Sequence, residues 1–66
     1  MNDKTRKINE NLAEIELLKK SNLYCLKQIA KKPAKWEVKE YRAVIKGNLK
    51  EIRKLAEHNR VLGGFN

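Results

Sequence analysis

The amino-acid sequence predicts an all-α fold, an antiparallel two-helix hairpin, and three observations carry that expectation. The only proline, Pro33, stands at the middle of 66 residues. Apolar residues recur at spacings of three and four on both sides of it, the period of an amphipathic helix. The paired glycines Gly63-Gly64 punctuate only the far end.

The first helix is expected over residues 3–32. This stretch contains no Gly or Pro, and Ile8, Leu12, Ile15, Leu18, Cys25, Leu26 and Ile29 keep one face turned inward. Asn2, Asp3 or Thr5 is placed to cap its start. Pro33 disfavours helical geometry at Lys32 and suits the first turn of a following helix, where its missing N–H is no loss. Ser21-Asn22, where Lys19 and Asn22 interrupt the apolar stripe, is the alternative breakpoint and would give three helices. The second helix is expected over residues 34–62, with Val38, Tyr41, Ile45, Leu49, Ile52, Leu55, Ala56 and Leu62 as its stripe. Gly63 then supplies a helix-ending residue, and Phe65 is placed to fold back on the last turn. A connection of a few residues makes the helices antiparallel neighbours in a single domain spanning 1–66.

The two halves carry a common pattern. Ile8, Asn11, Leu12, Glu14, Ile15, Leu18 and Asn22 recur as Ile45, Asn48, Leu49, Glu51, Ile52, Leu55 and Asn59. Either an internal duplication or two converging heptad patterns accounts for it. Folding about Pro33 pairs residues whose numbers sum to 66 or 67, and in that register Asn11, Asn22, Asn48 and Asn59 each face an apolar residue. A buried amide without a partner costs on the order of 1 to 3 kcal/mol, so these four asparagines are assigned to a seam with a second copy. Size points the same way, because a single core becomes comfortably sufficient only above about 70 to 80 residues. One cysteine, Cys25, rules out an internal disulfide, and Cys25 with His58 falls short of a zinc site. The expected assembly is a homodimer forming a four-helix bundle. In layout it resembles the small plasmid-control helical hairpins of the Rop type; no motif is shared, so the resemblance extends to architecture alone.

Catalysis is not expected. The hairpin separates Cys25 from His58, the pairs Glu14/Glu16 and Glu37/Glu40 sit among lysines on open helix surface, and no Gly-rich phosphate loop is present. No catalytic residue, metal, cofactor or small-molecule substrate is therefore assigned. Charge is the informative feature, with 16 Lys+Arg against 8 Asp+Glu and a net charge of +8. Lys35, Lys39, Arg42, Lys46 and Arg53, continued by Arg60, follow one flank of the second helix, and Glu37, Glu40 and Glu51 the other; Lys20, Lys27 and Lys31 line up with Tyr24 on the first. A cationic edge of this kind attracts phosphate backbones or acidic protein surfaces. A second surface, apolar and away from the seam, is formed by Leu17, Tyr24 and Trp36, together with Ala43, Gly47 and Val61. Trp36 serves there as a contact anchor or else plugs the hairpin corner. Gly47 in a helix costs roughly 1 kcal/mol against Ala, a choice that close approach of another backbone would explain.

The first functional expectation is thus a dimeric, non-enzymatic regulator that binds nucleic acid, or a nucleic-acid-bound protein, through the basic edge. The alternatives are an adaptor or inhibitor docking through Leu17, Tyr24 and Trp36, and an assembly scaffold. With no apolar run near the roughly 20 residues of a membrane span, and no apolar core behind Met1-Asn2-Asp3-Lys4, a cytoplasmic location without membrane association is expected.

Overall fold

A computed structural model describes residues 3–63. It consists of two helices, α1 (Asp3–Ala30) and α2 (Lys35–Gly63), packed against each other along their length as a hairpin. The molecule is a rod of 48 × 18 × 15 Å. Ser21-Asn22 lies inside α1, so the three-helix alternative is excluded. The parts assigned to Asn2, Gly64 and Phe65 fall outside the described residues.

The turn differs from expectation in one respect. Lys32 leaves the helix in the left-handed region, at φ 56°, with its N–H donating to Ile29 O at 3.0 Å. Pro33 does not enter the second helix; it lies in the link, and Ala34 O accepts the first bonds of α2, from Glu37 N–H and Val38 N–H. The four-residue link therefore advances along the rod axis as well as crossing it.

That advance shifts the register. Asn11 Nδ2 donates to Asn59 Oδ1 at 2.8 Å and Asn48 Nδ2 to Asn22 Oδ1 at 2.9 Å, so facing residues sum to 70. The register inferred from sequence was about one helical turn short, and its conclusion about the asparagines is corrected: the amides face each other within the chain. Each pair recruits a third group. Asn48 Nδ2 also reaches Ser21 Oγ at 3.2 Å, Asn11 Nδ2 lies 3.1 Å from His58 Nδ1, and Asn59 Nδ2 donates to Ile8 O at 3.3 Å. No buried side-chain polar atom among the described residues lacks a partner. A second copy is not required to satisfy these amides.

The two clamps are related by the repeat. Advancing Asn11 and Ser21 by 37 gives Asn48 and His58, while Asn22 advances to Asn59. Each donor thus maps onto the other donor and each accessory residue onto the other accessory residue, which makes the hairpin pseudo-twofold symmetric. Between the clamps the register sets Ile15 level with Leu55 and Leu18 level with Ile52.

The seam also differs from the expected apolar stripe. The seam is the strict three-four alternation Ile8, Asn11, Ile15, Leu18, Asn22, Cys25, Ile29, answered by Tyr41, Ile45, Asn48, Ile52, Leu55, Asn59 and Leu62. With asparagines filling four seam positions, Leu12, Leu26 and Leu49 move to its shoulder and are about half exposed. Only Asn11, Ile15, Cys25 and Asn59 are buried among the described residues. The chain exposes 5481 Å², against about 4,300 Å² for a compact monomer of its mass.

Gly47 is exposed, and a Cβ built there meets nothing within 4 Å. Gly47→Ala is therefore expected to stabilise an isolated hairpin by about 1 kcal/mol and to raise its thermal midpoint by roughly 4 to 8 °C. A lowered midpoint in a melting experiment would mean that another chain packs on this glycine.

Candidate functional site

On α2 the residues Lys35, Lys39, Arg42, Lys46, Leu49, Arg53, Ala56 and Arg60 follow one another at alternating spacings of four and three, a stripe that stays on one flank of a helix. All six of its charged members are exposed cations. Arg60 is held by Glu57, its Nε donating to Oε2 at 3.0 Å, and this bond keeps the Glu57 carboxyl below its ordinary pKa and raises that of Arg60. Lys35, Lys39, Arg42, Lys46 and Arg53 are in no ion pair with a carboxylate among the described residues. Near the tip this is forced by the register, because residues 35–39 extend beyond the end of α1 and have no α1 residue opposite.

The stripe borders the interhelical groove. Its end residues Ala56 and Arg60 join Ile8, Leu12, Ile15 and Asn59 around one depression of about 300 Å³. Two further hollows lie along it, one among Lys35, Val38, Lys39 and Arg42, the other among Lys46, Leu49, Lys50 and Arg53. Leu12, Leu26 and Leu49, counted with the core from sequence, are instead about half exposed on the shoulder of the seam, a placement that sequence reasoning missed. The signal was available in the unbroken heptad once Asn is admitted as a seam residue.

The opposite mouth of the seam, marked by Ser21 and His58, has the opposite charge. Stepping back by sevens from His58 gives Glu51, Val44 and Glu37, and from Ser21 gives Glu14. Tyr41 reports the same environment: its phenol pKa is raised, first by partial burial and then by neighbouring Tyr24, with Glu37, Cys25 and Glu40 adding. One broad face of the rod is therefore basic, and Glu14, Glu37 and Glu51 line the other.

The sequence-predicted residues separate accordingly. The five α2 cations are brought together. Lys20, Lys27 and Lys31 are exposed on the outer edge of α1 with Tyr24, a separate stripe and not a continuation of the α2 flank. Leu17 and Tyr24 are 60% and 58% exposed on the acidic face. Trp36 is 64% exposed in the overhanging first turn of α2, so it does not plug the corner. The four asparagines lie inside the hairpin, as described above.

Cys25 is a buried free thiol, and the register sets it about 20 Å of helix rise from the level of His58. No group of three or more His, Cys, Asp or Glu able to hold a metal occurs among the described residues, and no helix there is long and apolar enough to cross a membrane. No protein-family model matches this chain, and neither a curated protein nor a solved structure matches it.

Proposed function

We propose that this chain is a non-enzymatic regulator that acts by occupancy: two hairpins pair, and each presents the basic flank of α2 to an acidic macromolecule, nucleic acid or a protein bound to it. The observation that carries the reading is the row Lys35, Lys39, Arg42, Lys46 and Arg53, exposed and free of carboxylate partners on one flank while Glu14, Glu37 and Glu51 occupy the other. Such a row releases condensed counterions when it meets phosphates, and the α1 lysines add long-range attraction. The test is a salt titration of binding to a 20-nucleotide duplex. Five neutralised phosphates give a log–log slope near −4.5, about a 500-fold loss between 50 and 200 mM salt; a flat response rejects the reading.

Pairing is supported by apolar side chains that the two helices leave uncovered, Leu17 at 60%, Tyr24 at 58% and Val44 at 46% exposure. The second copy is set on Leu17, Tyr24 and Val44, apolar side chains away from the Lys39, Lys46 and Arg53 row, giving a four-helix bundle. Sedimentation is expected to give twice the 7.7 kDa chain mass, and Leu17→Glu with Tyr24→Glu to return it to one. A helical 7.7 kDa species in the unmodified protein would assign Leu17 and Tyr24 instead to docking a different protein.

A further inference from the structure

The basic flank alone does not explain the leucines beside it. Leu12, Leu26 and Leu49 are each about half exposed on the shoulder of the seam. Leu12 and Leu49 are equivalent positions of the internal repeat, and Leu12 joins Ile8, Ile15 and Ala56 in an open apolar depression. Phosphate binding uses none of these side chains and would leave them wet. A second copy is a poor occupant, because a twofold contact sets this face against itself and brings the Lys39, Lys46 and Arg53 row of each chain against the other.

We infer that the trough between α1 and α2 on the basic face seats an acidic amphipathic helix of a partner protein, completing a three-helix bundle. The inference rests on the basic flank being a binding surface and names what it binds. An incoming helix with a leucine stripe covers Leu12, Leu49 and Ala56, and glutamates or aspartates beside that stripe meet Lys39, Lys46 and Arg53. This is helix-in-groove recognition with charge deciding which helices enter. The helices face each other over residues 7–30 and 40–63, roughly 36 Å of trough, which a guest of four heptads spans with a turn to spare.

The probe is a fluorescein-labelled 28-residue peptide with Leu at a and d and Glu at the flanking e and g positions, whose like charges oppose its self-pairing. Its controls are a scrambled peptide of the same composition and the 20-nucleotide duplex, all read by anisotropy. The patterned peptide is expected to bind at least about tenfold more tightly than the scrambled one. In the variant Leu12→Gln with Leu49→Gln, peptide affinity is expected to fall at least about tenfold while duplex affinity holds. Both leucines are half exposed, and helical circular dichroism verifies that the variant folds. Equal binding of the two peptides, or indifference to the leucine changes, overturns the helix seat. The charge reversal Lys39→Glu, Lys46→Glu, Arg53→Glu separates the two levels. If it leaves every probe bound, the basic flank itself is refuted; if it releases the duplex while the two peptides behave alike, only the helix seat is refuted.

Discussion

Asn59→Leu is expected to destabilise the hairpin by about 2 kcal/mol, within the range for stripping a buried polar group of its partner. The thermal midpoint should fall by roughly 8 to 16 °C for a chain of this size. Asn11 is only 4% exposed, and its Nδ2 loses the 2.8 Å acceptor that Asn59 Oδ1 provides, keeping His58 Nδ1 alone. The informative partner is the double variant Asn11→Leu, Asn59→Leu. With both amides gone neither leaves the other unpaired, and only Ile8 O and His58 Nδ1, in part-buried contacts, lose an amide partner, so most of the lost stability should return. The register should loosen, because a paired polar layer is what penalises sliding one helix past the other. Melting curves for the two single variants and the double close the cycle, and a coupling energy above about 1 kcal/mol is expected for groups in direct contact. An Asn59→Leu protein as stable as the unmodified one would show that the clamp is not formed.

Reversing Lys39, Lys46 and Arg53 to Glu is expected to weaken duplex binding about a thousandfold at 50 mM salt, from the loss of three counterion-releasing contacts, and the new carboxylates deepen the loss. Helicity should be unaffected, because the three side chains are exposed and none takes part in an ion pair. The matched control reverses Lys20 and Lys27, which lie on the outer edge of α1 away from the α2 flank. That pair contributes only at a distance, so its reversal should change affinity far less. Equal losses from the two sets would mean that net charge, not the flank, governs binding.

The hairpin itself was readable from the chain, because Pro33 and the three-four periodicity act locally and the structure keeps both. The register was not. It depends on how far Lys32, Pro33 and Ala34 carry the chain along the axis, and the left-handed Lys32 is a backbone choice that composition does not announce. One turn of error was enough to set every seam asparagine against a hydrophobe when in fact they pair, Asn11 with Asn59 and Asn22 with Asn48. The same habit of treating only apolar residues as seam residues placed Leu12 and Leu49 inside. The five α2 cations were legible because side chains spaced by three and four share a flank wherever the helix packs. The separateness of the Lys20, Lys27 and Lys31 stripe needed the seam to be located first.

On the proposed function, binding is confined to one face of the rod, and amide chemical-shift mapping tests this directly. During titration of ¹⁵N-labelled protein with the 20-nucleotide duplex, shift changes are expected at Lys35, Lys39, Arg42, Lys46 and Arg53. Glu14, Glu51 and Tyr24, on the opposite face, should stay in place. Changes spread evenly over both faces, or concentrated on the Lys20 and Lys27 edge, would contradict it.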